Sequence, residues 1–159
     1  MTDIRYVQGD ATAPVGHGVK ILAHVCNDGG GWGRGFVVAL SRRWRAPEGA
    51  YRAWYRDRAS NNFQLGAVQF VQVEPELWVA NMIGQHGIRR GNTGTPPIRY
   101  AAIEASLNTV ADKAIDLHAS VHLPRIGTGL AGGTWSEIEP LLHAQLINRG
   151  IAVTIYDLA

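Results

Sequence analysis

The 159-residue chain has a single cysteine, Cys26. One thiol excludes an internal disulfide and a cysteine-rich zinc site, and it fits a reducing compartment, so a cytoplasmic location is expected. Long hydrophobic runs are also missing. The longest uninterrupted pieces are of the size of residues 36–40, far from the roughly 18 residues of a membrane helix, and no membrane partner is expected. The first residues, Met1-Thr2-Asp3-Ile4-Arg5, lack the basic and apolar regions of a secretory leader. Charge is sparse, at 18% of residues and a net +2, too little to mark a nucleic-acid binder by itself. No repeat, low-complexity tract or linker interrupts the chain, so one domain over residues 1–159 is expected.

What is present is apolar residues, at 46%, and nineteen glycines. The first rules out a disordered chain, and about 70% of the unfolded surface is hidden at this length. The second is about one residue in eight against an ordinary ~7% and calls for a cause. Charge is also uneven. Residues 34–58 hold seven arginines against Glu48 and Asp57, a local +5 that leaves −3 elsewhere. With Trp44, Tyr51, Trp54 and Tyr55 interleaved, the patch has the make-up of a phosphate-facing surface with stacking rings. The better-supported reading is structural. Phe36, Leu40 and Trp44 recur every fourth residue, and Tyr51, Trp54 and Tyr55 also share a helix face, so the rings belong to the core and Arg52 and Arg56 to solvent.

Periodicity gives an alternating strand and helix order, hence an α/β fold with a mixed sheet between helices. Strands are expected at residues 4–8, 19–25, 68–73, 77–83, 121–126 and 152–156. The third and fourth are separated by the turn Glu74-Pro75-Glu76. Helices are expected at 36–45, stopped by Pro47, at 48–58, and along the stripe Ile103, Leu107, Val110, Ala114 and Leu117. A last helix runs to about residue 149. Its start is contested between the capping boxes Thr134-x-x-Glu137 and Ser136-x-x-Glu139, and Pro140, which belongs near a first turn, favours the later one.

Two glycine loops each join a strand to a helix. Gly127-Thr128-Gly129-Leu130-Ala131-Gly132-Gly133 would bring bare backbone N–H groups, backed by a helix dipole, close to an anion. The string spells the G-x-G-x-x-G dinucleotide fingerprint, with Asp157 ending the next strand. It lies in the last fifth of the chain, which speaks against a Rossmann fold, and a phosphate or diphosphate site is expected over simple tight turns. The second loop, Asn27-Asp28-Gly29-Gly30-Gly31-Trp32-Gly33-Arg34-Gly35, has five glycines in nine residues, more than a turn requires. Both loops fall at the carboxyl edge of the sheet, where open α/β folds bind ligands. Together they suit a diphosphate flanked by a sugar, with Asn27 and Asp28 offering hydrogen bonds to hydroxyls; Asp28 equally suits a helix cap or a turn. His24 and Cys26 share a strand face, and His118 and His122 flank a helix–strand join. Neither pair makes a convincing metal set, and no metal or other cofactor is expected. His86, Trp32 and Trp135 each have a structural alternative to a ligand contact.

Three blocks then carry a resemblance. Val7-Gln8-Gly9-Asp10-Ala11-Thr12, His24-Val25-Cys26-Asn27 running into Gly31-Trp32-Gly33-Arg34-Gly35, and Ser120-Val121-His122-Leu123-Pro124-Arg125-Ile126-Gly127 resemble the macrodomain family. The branch they resemble contains the macrodomain of the amplified-in-liver-cancer chromatin remodeller and terminal ADP-ribose protein glycohydrolase. The resemblance covers nearly the whole chain and implies a three-layer α/β/α sandwich that binds ADP-ribose. Position by position, it implies that Asp10 accepts from the adenine amino group with Ala11 in the same turn. Asn27, Gly31, Trp32, Gly33 and Gly35 would surround the distal ribose and diphosphate, with Gln85 near the distal ribose or the adenine edge. Ile126, Gly127, Thr128, Gly129, Leu130, Ala131 and Gly132 would form the diphosphate loop.

The glycohydrolase of this branch uses a lysine and an aspartate that follows a Gly-Leu pair. Here Gly129-Leu130 is followed by Ala131, and residues 85–97 carry Arg89 and Arg90 but no lysine. A guanidinium stays protonated and cannot act as that nucleophile. The resemblance still leaves a water-based hydrolysis open, in which Asn27 and Asp28 hold the ribose and the attacking water and Asp28 is a candidate base. The expected activity is removal of mono-ADP-ribose from proteins modified through glutamate or aspartate esters. The expected partners are ADP-ribose and mono-ADP-ribosylated proteins. A non-catalytic reader of ADP-ribose, an ADP-ribose 1″-phosphatase and a hydrolase of ADP-ribosylated nucleic acid are the alternatives, the last needing the arginine patch to face the cleft. A free-standing domain favours the enzyme.

Overall fold

The computed structural model describes residues 3–87, 94–129 and 131–158. Lys20–Asn27 and Leu77–Gln85 stay buried over most of their length rather than alternating, as strands covered on both faces do. They are β2 and β4 of a chain that runs β1 (Arg5–Gln8), β2, α1 (Phe36–Arg43), α2 (Ala46–Arg56), β3 (Val68–Glu74), β4, α3 (Tyr100–Leu117), β5 (Ser120–Pro124), α4 (Trp135–Gln145) and β6 (Val153–Asp157). The six strands form one sheet in the order β1-β6-β5-β2-β4-β3. All neighbours are parallel except the β3–β4 hairpin, so the sheet is mixed.

Successive residues of β2 point to opposite faces, which splits the core in two. Ile21 and Ala23 pack with Ile103, Leu107 and Val110 of α3 and Ile138 and Leu142 of α4. Leu22 and Cys26 pack with Leu40 of α1 and Tyr51 and Trp54 of α2. The result is helices on both sides of a sheet, a three-layer α/β/α sandwich. Tyr51 and Trp54 are core residues and Arg52 and Arg56 lie in solvent, as their spacing predicts. Arg52 donates to Glu48 one turn earlier, at 2.9 Å.

Most element ends shift by one or two residues, and two helix starts differ from the sequence expectation. Pro47 does not merely stop α1; it is buried in the first turn of α2, where an absent N–H breaks no bond, so α2 starts two residues early. α4 starts at Trp135 after Thr134, not after Ser136, and Pro140 lies inside the helix. The carbonyl that Pro140 leaves without a donor belongs to Ser136, and both residues are exposed, so that carbonyl stands at the solvent-facing side of the helix. Among the described residues no helix is long and apolar enough to cross a membrane.

The layers enclose two histidines. His24 on β2 donates through Nε2 to Asn81 Oδ1 at 2.5 Å, and His122 on β5 lies between Ser120 Oγ at 2.8 Å and Tyr156 Oη at 2.7 Å. Burial disfavours the charged imidazole and lowers both from 6.5 to about 4. The unfolded chain therefore binds more protons between those values. This stability is complete above about pH 6.5 and is lost as pH falls toward about 4, at up to about 3 kcal/mol per histidine. Urea unfolding should show about 2 kcal/mol lost per histidine between pH 7.5 and pH 5, and His122→Gln should remove roughly half of that dependence. Equal stability at the two pH values would contradict this account.

Candidate functional site

The carboxyl ends of β5, β2 and β4 lie side by side, and the loops leaving them enclose a cleft of about 590 Å³. The first wall follows β2. Asn27 ends that strand at an irregularity in its pairing with β4, and its side chain organises the loop beyond. Oδ1 accepts from Gly29 N at 2.9 Å and Gly31 N at 3.1 Å, while Nδ2 donates to Gly31 O at 2.8 Å. That uses both acceptor positions and one of two donors, so one N–H of Asn27 has no partner among the described residues. Tyr51 Oη, from α2, donates to Asn27 O at 2.6 Å and accepts from Gly30 N at 3.1 Å. Burial raises the Tyr51 phenol well above its ordinary value, so it stays a neutral donor.

Trp32 is pinned from below. Its ring lies 5.3 Å from Tyr51 and 5.5 Å from His24, and its N–H donates to Ser41 Oγ at 2.7 Å. The chain then enters α1 through Gly35, at φ 80, with no side chain capping the helix. Val38 N donates to Gly35 O at 3.1 Å, which leaves Phe36 N and Val37 N without a hydrogen-bond partner among the described residues at a helix start that lines the cleft, as an anion site requires.

The second wall leaves β5. Gly127 has φ +71, and a Cβ there would stand 2.5 Å from Ile98 Cδ1 and 3.0 Å from Ile138 Cδ1. Gly133 N donates to Gly127 O at 2.7 Å, closing the loop, and Ile98 N donates to Ala131 O at 3.0 Å. At its base Arg125 makes a two-point pair with Asp157, at 2.7 and 2.9 Å. The Arg125 guanidinium stands 4.9 Å from the Tyr6 ring centroid and 4.8 Å from that of Trp135, which hydrogen-bonds Tyr6 at 3.0 Å. Tyr6 also donates to Glu139.

The sequence-selected residues separate into two groups. Asn27, Gly31, Trp32, Gly33 and Gly35 line the first wall, Gln85 the end of β4, and Ile126, Gly127, Thr128, Gly129 and Ala131 the second wall. Asp10, Ala11, Asp28 and Gly132 are not part of that lining, and Leu130 lies outside the described residues, as do Arg89 and Arg90. Asp10 is exposed after β1, its Oδ1 accepting from Thr12 N at 2.8 Å and Thr12 Oγ1 at 2.7 Å. Ala11 is buried in the core on the α1–α2 side. Asp28 faces the chain after β4: Oδ2 is 2.7 Å from His86 Nδ1 and Oδ1 accepts from Gly87 N at 2.8 Å.

Sequence reasoning did not select Arg34, Arg125, Phe36 and Pro124 for the cleft, yet they line it. The signal available was position, since each adjoins a selected glycine loop. Among the described lining residues the charged ones are Arg34 and Arg125, and none is acidic. Of the arginine patch at 34–58 only Arg34 reaches the cleft. The Cys26 thiol is buried and its ionisation strongly disfavoured. Among the described residues no group of three His, Cys, Asp or Glu side chains is placed to hold a metal.

No family model matches the chain. A macrodomain protein from Streptomyces coelicolor is 66% identical with a TM-score of 0.88, over 98% of this chain and 99% of that one. Mouse chromodomain-helicase-DNA-binding protein 1-like is 32% identical over 164 residues, which is 98% of this chain but only 18% of that protein. The chain thus spans less than a fifth of the length of that curated relative. The ADP-ribose 1″-phosphate phosphatase of Meyerozyma guilliermondii is 26% identical over 171 residues, covering 93% of this chain and 98% of that one. The chain belongs to the macrodomain family.

The packing at Gly127 makes a direct prediction. Gly127→Ala forces both an unfavourable backbone angle and an overlap with Ile98, at a cost of about 2–4 kcal/mol. A Cβ at Gly129 meets nothing within 4 Å. Gly129→Ala should therefore leave stability within about 0.5 kcal/mol of the parent in urea unfolding. Equal effects at the two positions would contradict the described loop.

Proposed function

We propose that this chain, as one macrodomain, hydrolyses mono-ADP-ribose from proteins modified through glutamate or aspartate esters. The observation that carries the reading is the cleft. Its two walls are glycine-rich backbone, its described lining is positive without an acid, and it runs across the ends of three strands. A diphosphate suits the walls, because unpaired N–H groups and a helix N-terminus face it where side chains would obstruct. A ribose beyond the diphosphate suits the Asn27 end, where one amide N–H remains. The relative named for ADP-ribose 1″-phosphate supports both the ligand and a hydrolytic use of the fold.

In this reading the Asn27 amide and the loop at 31–35 hold the distal ribose while a water attacks its anomeric carbon. The bond to the ester oxygen breaks and its electron pair leaves with the glutamate or aspartate carboxylate. A carboxylate departs without a strong acid, so positioning and hydrogen bonds to developing charge carry much of the acceleration. The lysine–aspartate chemistry of the branch is not invoked, since Ala131 stands where its aspartate would be and the described lining has no lysine. That same observation favours the second reading, a module that retains ADP-ribosylated partners without turning them over.

Mass spectrometry of ADP-ribose released by substoichiometric protein separates the two. Many turnovers on a glutamate-linked substrate, and none on a serine-linked one, are expected. Retention of the modified protein without release would overturn the hydrolase in favour of the reader, and neither release nor retention would contradict the ADP-ribose ligand. Asn27→Ala should weaken ADP-ribose binding by roughly tenfold or more, because it removes a ligand donor and the bonds shaping the first wall.

A further inference from the structure

We propose that Asp28 and His86 form a catalytic dyad at the edge of the cleft, with His86 Nε2 as the general base for the attacking water and Asp28 as the group that orients the imidazole. The inference rests on the hydrolase reading above and names the groups that would move the proton.

Geometry is the starting point. Asn27 of β2 and Gln85 of β4 are paired across the sheet and both line the cleft. Asp28 and His86 are the next residues along each strand, and they meet just beyond that pair, with Asp28 Oδ2 2.7 Å from His86 Nδ1. The contact is held on several sides. Gly87 N donates to Asp28 Oδ1 at 2.8 Å, and Asp28 N donates to Gln85 O at 3.0 Å. Gln85 Nε2 donates to Gly87 O at 2.9 Å, and His86 N donates to Pro97 O at 2.8 Å. Both carboxylate oxygens of Asp28 are thereby engaged, which leaves Asp28 poorly suited to take a proton from water itself. It is well suited to keep a hydrogen on Nδ1, so that the lone pair of Nε2 faces outward. A carboxylate behind an imidazole is the arrangement that fixes tautomer and direction in a general base.

Exposure agrees with the task. The His86 side chain is 66% exposed and that of Asp28 is 21% exposed. A hydrogen bond this open to water adds little to folding stability, so a purely structural purpose is a weak account of it. The scissile ester joins a ligand inside the cleft to a protein too large to enter. Groups that act on that bond must stand at the edge, within reach of solvent. His24 is a contrast, since it also lines the cleft but is 1% exposed and its Nε2 is taken by Asn81. The step balances. Nε2 takes one proton from water as the oxygen bonds to the anomeric carbon, the carboxylate leaves with the bonding pair, and the imidazolium then returns its proton to solvent.

The test uses the intact protein and a protein mono-ADP-ribosylated on glutamate. His86→Ala should lower kcat by roughly 100-fold or more, the ordinary range for loss of a general base. The Kd for free ADP-ribose should stay within about threefold of the parent, and added imidazole should restore part of kcat. Asp28→Asn keeps an acceptor for Gly87 N but turns a donor toward Nδ1, which moves the imidazole hydrogen to Nε2. It should lower kcat as well, again with ADP-ribose affinity kept. Full kcat in His86→Ala would overturn the dyad and leave the hydrolase reading intact. A loss of kcat matched by an equal loss of ADP-ribose affinity, with no rescue by imidazole, would make the contact a latch between loops and overturn the dyad. No release by the parent protein would overturn the hydrolase reading and the dyad with it.

Discussion

The loop that forms the first wall of the cleft carries five glycines, so it has almost no side chains with which to hold its own shape. The Asn27 side chain supplies the shape instead, taking two backbone N–H groups and one carbonyl of the loop into a single amide. Much else depends on that constraint. Tyr51 reaches it from α2 through the Asn27 carbonyl, Trp32 is pinned over Tyr51 by the loop's path, and α1 begins where the loop delivers Gly35. Flexible residues are thus used where an anion must approach the backbone, and the entropy they bring is restrained by buried neighbours.

The second wall is restrained by packing rather than by an amide. Gly127 lies against Ile98 and Ile138, which belong to the core on the α3–α4 side, so that loop is an extension of the core's own packing. The two walls thus draw on different layers of the sandwich, and the parallel ends of β2, β4 and β5 set their separation. Chain segments that run between the walls tie them together, from Asp28 to Gly87, from His86 to Pro97 and from Ile98 to Ala131. A change on one side of the cleft therefore reaches the other through backbone hydrogen bonds.

Local pattern makes the strands, the helix stripe through Ile103 and Leu107 and the two glycine loops legible in the sequence. Alternation and spacing are properties of neighbouring residues, and the sheet preserves them. The start of α4 is not legible in the sequence because a proline's preference for a first turn is weaker than the packing of Trp135 against Tyr6, a contact made across more than a hundred residues. The Asp28–His86 contact was invisible for the same reason. Its partners are 58 residues apart and become neighbours only because β2 and β4 pair in register. Asp28 read alone suited a cap, a turn or a base equally well, and its partner is what distinguishes them.

The hollow between the two glycine walls is proposed as the ADP-ribose site. A crystal structure of the protein soaked with ADP-ribose tests it most directly. The diphosphate is expected between the Gly31–Gly35 and Gly127–Gly129 backbones, with the distal ribose beside Asn27. Ligand bound elsewhere on the molecule, with this cleft empty, would contradict it.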